Sequence, residues 1–216
     1  MAHQPIFYAP DSNQQAMPGS FPTSASDALP LVLTLKLDSA SFDRLNQLRQ
    51  KYFPSHRNFL PAHVTLFHAL PGNQETSIRE ALQIACANTA RFPLAFPTLR
   101  FLGRGFAAEI EAPELIQLQH QLVADWHSEL TPQDRQKYKP HVTIQNKVSP
   151  EVAKPQYEQA ARAWQPLSGF GEGLLLWYYK GGPWELVEAF EFQSNSPNGE
   201  TGSHCDEAGT TPLDRR

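Results

Sequence analysis

"HVTL" at residues 63–66 and "HVTI" at 141–144 are one figure written twice, inside Leu60-Pro-Ala-His-Val-Thr-Leu-Phe-His68 and Lys139-Pro-His-Val-Thr-Ile-Gln145. Each copy follows a proline-containing entry. In a strand, side chains two apart share a face, so His63 and Thr65 point one way while Val64 and Leu66 point the other. His141 and Thr143 share a face by the same rule, backed by Val142 and Ile144. Each copy therefore offers an imidazole beside a hydroxyl on one side and an aliphatic anchor on the other.

Outward from these strands the ordered chain repeats itself. "LVLTLKL" (31–37) alternates like a strand. Asp38 or Ser39 can cap a helix whose apolar positions Phe42, Leu45, Leu48 and Tyr52 recur every three or four residues. After the first His-Val-Thr strand and a Pro71-Gly72-Asn73 turn, Ile78, Leu82 and Ala85 mark a second helix. "FPLAFPTLRF" (92–101) reads as a strand broken by prolines near an edge. The second half repeats the order. "GFAAEIE" (105–111) is a strand, and a helix begins near Pro113 with Leu115, Leu118, Leu122 and Trp126 on one face, ending at Thr131-Pro132. The second His-Val-Thr strand follows, then a helix opened by Ser149-Pro150 and restarted at Pro155. "LLLWYY" (174–179) suits a strand covered on both faces, and Gly181-Gly182-Pro183 turns the chain into "WELVEAFEF" (184–192). Two β-α-β-α-β units imply pseudo-twofold lobes, spanning roughly 29–104 and 105–193, with a ligand cleft between them.

The flanks differ in kind. Residues 1–28 and 194–216 are polar, rich in Pro, Ser, Asn and Gly and without periodicity, and are expected to be disordered tails. Of the 22 acidic and 18 basic residues, six acids and two arginines lie in those tails, leaving sixteen of each between 29 and 193. A neutral domain lacks the global positive field of a protein that grips long duplex, so a phosphate partner must be held locally. With only Cys86 and Cys205, neither a disulfide framework nor a cysteine zinc site is written here. No apolar run approaches a membrane span and the N-terminus lacks a signal peptide's pattern, so a cytoplasmic protein, monomeric and independent of membranes, is expected.

The paired motifs suit cleavage of a phosphodiester without a metal. An in-line displacement needs one group to take a proton from the attacking oxygen and another to give one to the leaving oxygen. Imidazoles titrate near neutrality, so His63 and His141 can fill both roles, with a bell-shaped pH profile. Thr65 and Thr143 can hold the non-bridging oxygens. A metal site is not expected, because neither histidine has a carboxylate or third histidine at ligand spacing, and strict alternation puts His68 on the face opposite His63. No cofactor is called for.

With these motifs in a duplicated unit, the chain resembles the two-histidine (2H) phosphoesterases, in particular their bacterial 2′-5′ RNA ligase-like branch. The resemblance covers 29–193 and leaves out both tails. It implies a bilobal α+β fold of largely antiparallel sheets flanked by helices around a central cleft. It also implies metal-independent hydrolysis of 2′,3′-cyclic or related nucleotide phosphodiesters, and in some members reversible 2′-5′ ligation of RNA ends. Carried over by motif, His63 and His141 are general acid and base, in an order the sequence leaves open, and Thr65 and Thr143 hold phosphate. Lys139 and Lys147 can add positive charge near it, Arg57 can gate the cleft mouth, and Phe67, Tyr179 and Trp184 can stack on a base or ribose. The expected partner is a small nucleotide or an RNA end with a cyclic phosphate. The alternative is a non-catalytic nucleotide- or RNA-end-binding module of the same fold.

Overall fold

The computed structural model describes residues 28–181 and 184–194, so the expectations for the two tails fall, apart from their innermost residues, outside it. The chain forms β1 (Leu31–Leu37), α1 (Ser39–Tyr52), β2 (Val64–Leu70), α2 (Glu75–Ala87), β3 (Phe92–Phe96), β4 (Leu99–Phe101), β5 (Phe106–Glu109), α3 (Pro113–Trp126), β6 (His141–Gln145), α4 (Pro150–Ala163), β7 (Leu167–Tyr179) and β8 (Trp184–Glu191). The β-α-β-α-β order thus occurs twice, as β1-α1-β2-α2-β3 and β5-α3-β6-α4-β7.

Two open antiparallel sheets carry this α+β fold. One runs β2-β1-β7-β3, with β8 also on β7, and the other runs β4-β5-β6. β3 pairs with the first part of β7 and β8 with the rest, along the edge opposite β1. Sheet membership crosses the midpoint of the duplication, because β7 and β8 from the second half complete the sheet begun by β1 and β2. The segment 92–101 is also two strands rather than one. Pro97 cannot donate to a ladder, and the chain leaves the larger sheet after Phe96 and enters the smaller one at Leu99.

Local chemistry accounts for the helices. Asp38 caps α1: its carboxylate accepts from Ser41 N–H at 3.0 Å and from Ser41 Oγ at 2.6 Å, and it also accepts from Phe170 N–H at 2.6 Å, fastening the helix start to β7. The fully buried stripe of α1 is Ser41, Leu45 and Arg49, with Phe42, Leu48 and Tyr52 half-buried beside it. α3 buries Leu115, Leu118, Leu122 and Trp126 as their spacing predicts, but ends at Trp126, ahead of Thr131. α4 does not restart at Pro155. It runs through, because Pro155 sits on the exposed face, where water can serve the carbonyl that loses its partner.

One apolar core runs through both sheets and includes Leu33, Leu35, Val64, Phe67, Phe106, Leu115, Val142, Ile144 and Leu174. On the other face of the larger sheet, Val32, Leu60, Trp177 and Trp184 form a smaller cluster. Burying each aliphatic anchor behind a motif stabilises the fold by about 1.5–3 kcal/mol and fixes which way the motif's polar face looks. Among the described residues no helix is long and apolar enough to cross a membrane.

Candidate active site

Both motifs lie on the outermost strand of their sheet, β2 in the larger and β6 in the smaller. Thr65 on β2 lies opposite Thr34 on β1, and Val64 opposite Leu35; Thr143 on β6 lies opposite Ala107 on β5, and Val142 opposite Ala108. Val64 and Val142 are fully buried, so the His/Thr faces are turned away from the core. They open onto one cavity of about 520 Å³, lined by His63, Thr65, His141 and Thr143 together.

Each strand departs from regular alternation at the same place, just after its threonine. On β2 the pairing steps from Thr34↔Thr65 to Leu33↔Phe67, leaving Leu66 as an extra residue. On β6 it steps from Ala107↔Thr143 to Phe106↔Gln145, leaving Ile144 extra. These are β-bulges, and each sends two consecutive side chains inward. Leu66 and Phe67 are buried on β2, as are Ile144 and Gln145 on β6. Beyond the bulge the phase is reversed, so the residue five after each motif histidine returns to the cavity: His68 in the first copy and Asn146 in the second.

The bulges correct three expectations. Phe67 is not a stacking group at the cleft, because it is fully buried with its ring edge-on to Trp126 at 5.3 Å. Lys147, which strict alternation aims at the phosphate, gives its place on the cavity wall to Asn146 and sits in a left-handed turn at φ 64°. His68, assigned to the opposite face, lines the same cavity as His63. Lys139, Tyr179 and Trp184 do line the cavity, whereas Arg57, in a short 3-10 turn, does not.

The histidine rings are held alike. His63 Nδ1 lies 2.8 Å from Pro61 O and His141 Nδ1 lies 2.9 Å from Lys139 O, each a carbonyl two residues earlier. A carbonyl only accepts, so each Nδ1 carries its proton and donates. Nε2 is then the atom through which each ring can exchange a proton. The His63 ring also leans on Trp184, with centroids 5.3 Å apart and planes at 57°. Trp177 behind it donates Nε1–H to Thr34 Oγ1 at 2.9 Å.

The cavity concentrates cations in a chain of net charge −4. Arg100, Arg104, Lys137 and Lys139 line it, against Asp134 as the one carboxylate among the described lining residues. Arg100 Nε is 3.1 Å from Glu109 Oε1, and Glu109 stands directly across the ladder from His141. Asp134 is buried and satisfied: Oδ1 accepts from His68 N–H at 2.8 Å and from His68 Nδ1 at 3.0 Å, while Oδ2 accepts from Ala69 N–H at 3.1 Å and Thr131 Oγ1 at 3.0 Å. Burial pushes its carboxyl up, but the bonds from the His68 ring and backbone, the His68 charge and the Ala69 N–H outweigh that and hold it below the usual carboxylate range. Three polar atoms at this cavity are buried with no hydrogen-bond partner among the described residues: the Tyr138 hydroxyl, Trp184 Nε1 and Arg100 Nε, the last having its ion-pair contact with Glu109.

Sequence reading missed Arg49, His68 and Asp134. Arg49 was legible in part, since a charged residue four positions after Leu45 and eight after Ser41 falls on the buried stripe. Two imidazoles, two hydroxyls and a ring of cations around one cavity suit a phosphate ester, and this duplicated α+β architecture defines the class. The chain belongs to the 2′-5′ RNA ligase superfamily, whose family model matches residues 37–183. Solved structures share the fold. TT0787 of Thermus thermophilus superposes with a TM-score of 0.57 at 18% identity, covering 78% of this chain and 100% of its own. E. coli LigT in its apo form gives 0.53 at 16% identity, covering 77% and 99%, and E. coli LigT complexed with 3′-AMP gives 0.53 at 15% identity over the same shares. No curated protein matches in sequence.

Proposed function

We propose that the protein is a phosphoesterase that opens 2′,3′-cyclic nucleotide phosphodiesters by general acid/base catalysis between His63 and His141. The observation that carries this reading is the matched anchoring of the two rings, Nδ1 to a main-chain carbonyl at 2.8 and 2.9 Å, on one cavity. A site that only bound phosphate would need donors, but no pair of imidazoles anchored through the same nitrogen.

In the proposed reaction one ring is neutral and the other protonated. The neutral Nε2 takes a proton from water as the water oxygen attacks phosphorus. The protonated Nε2 gives its proton to the ribose oxygen as the P–O bond of the cyclic ester breaks. The product is a nucleoside phosphomonoester, and each ring ends in its partner's starting state, reset by exchange with solvent. Thr65 and Thr143 donate to the non-bridging oxygens, while Lys139 adds positive charge from the cavity wall. With the 5′-hydroxyl of a second RNA end in place of water, the same proton inventory gives a 2′-5′ linkage. E. coli LigT has been solved complexed with 3′-AMP, and a ligand of that size and charge suits this cavity also.

The test is to incubate purified full-length chain with 2′,3′-cyclic AMP in excess chelator and follow phosphorus by NMR. Turnover to a monophosphate is expected. Saturable binding without turnover makes the chain a nucleotide-binding module instead, and the absence of both retires both readings.

A further inference from the structure

We propose that His68, Lys137 and Tyr138 form a second anion subsite in the cavity, so that the preferred substrate carries another phosphate one nucleotide span from the cyclic one. This rests on the phosphoester reading of the motif site, which itself uses neither His68 nor Lys137.

The bulge at Leu66 returns His68 to the cavity that holds His63 and Thr65. Because Leu66 is the extra residue of the bulge, Thr65 and Phe67 lie opposite neighbouring residues of β1. His68 therefore stands two ladder steps of about 3.3 Å, or about 7 Å, beyond Thr65 along β2. That exceeds the reach of one phosphate group and is on the scale of a nucleotide. The His68 side chain is half exposed, while the Asp134 side chain behind it is only 1% exposed. The carboxylate accepts from His68 Nδ1, so Nδ1 is the donor and Nε2 is the edge left for a ligand. Asp134 on Nδ1 stands on the far side of the ring from an anion at Nε2, so the imidazolium form of the pair offers Nε2–H to the anion with its charge balanced from behind.

The same carboxylate carries its neighbours into place. By binding His68 N–H, Ala69 N–H and Thr131 Oγ1, Asp134 fastens the loop after α3 to β2. Lys137 and Tyr138, three and four residues further on, line the cavity from that loop. The Tyr138 hydroxyl is a buried polar atom with no hydrogen-bond partner among the described residues, a donor suited to a ligand oxygen. A second phosphate can be a 5′-phosphate on the same nucleotide or the next phosphodiester of an RNA end, and the chemistry of recognition is shared.

Calorimetry on the full chain tests this without relying on turnover. The ligands are adenosine 3′-phosphate, adenosine 3′,5′-bisphosphate and a diadenosine bearing a 3′-phosphate. The bisphosphate is expected to bind about tenfold more tightly than the monophosphate, the scale of one charge-assisted contact. His68→Gln and, independently, Lys137→Gln should each bring that ratio down towards one. Lys137 is exposed and outside the Asp134 network, so its variant keeps the test sound should His68→Gln misfold. A diadenosine as tight as the bisphosphate assigns the subsite to an RNA end; tight bisphosphate alone assigns it to a free nucleotide. Equal affinity for mono- and bisphosphate, no binding of either, or a ratio untouched by Lys137→Gln overturns the subsite. Failure of the catalytic reading looks different: tight bisphosphate binding with no turnover of any cyclic phosphate.

Discussion

Arg49 Nη1 donates to the main-chain carbonyl of Thr143 at 2.7 Å, from a side chain that is 1% exposed. The same guanidinium uses Nε on Leu60 O at 2.9 Å and Asn58 Oδ1 at 3.0 Å, and lies over the Phe53 ring at 4.0 Å. One side chain on α1 therefore ties the strand of the second motif to the loop that enters the first. The two motifs come from different sheets, and Arg49 couples their spacing.

Replacing Arg49 by Met keeps much of the volume but orphans two buried carbonyls. A loss of about 3 kcal/mol is expected, read as a lower urea midpoint. Arg49→Lys should rescue little, because one ammonium cannot reproduce the planar fork. Full stability in the lysine variant would show that the geometry of the guanidinium is immaterial.

His63→Ala and His141→Ala should each cut turnover of 2′,3′-cyclic AMP by about 10²–10⁴-fold. Circular dichroism and urea midpoint should stay close to wild type, since both rings border the cavity. The wild-type rate should trace a bell against pH, one limb for each ring. A His141→Ala protein that turns over at the wild-type rate would remove the second lobe from the chemistry.

What the sequence made legible was whatever repeats. The spacing of Leu115, Leu118, Leu122 and Trp126 fixed a helix face, and the duplicated His-Val-Thr figure placed both motifs on equivalent strands. What it hid was phase. A bulge inserts one residue without any marker in composition, so Leu66 and Ile144 look like ordinary strand aliphatics. Yet they decide that Phe67 and Gln145 go inward while His68 and Asn146 come out. Long-range partners were hidden too: Asp134 is 66 residues from His68, and nothing local in its turn announces that pairing.

Asp134 predicts how the fold responds to acid. Its folded carboxyl titrates below the ordinary 3.8, so the stability it contributes is fully present above that value and is lost as pH falls through the folded one. Asp38, lowered by its bonds to Ser41 and Phe170 against the opposing effect of burial, acts with the same sign. The urea midpoint should therefore drop below about pH 4. Asp134→Asn should cost about 1–3 kcal/mol at neutral pH and show a shallower drop in acid. Parallel pH curves for the two proteins would mean that Asp134 does not hold the loop as a carboxylate.

Phe67 and Tyr179 separate core from cleft. Phe67 is fully buried against Trp126, so Phe67→Ala should cost about 3–5 kcal/mol of stability by leaving a cavity. Whatever folded protein remains should keep its KM. Tyr179 is half-buried and lines the site beside Trp184, so Tyr179→Ala should move stability little and raise KM for a cyclic nucleotide about tenfold or more, the scale of losing a base or ribose contact. Urea titrations and initial rates on both variants check the pair. A Phe67→Ala protein of unchanged stability with a raised KM would return that ring to the substrate and contradict the bulge at Leu66.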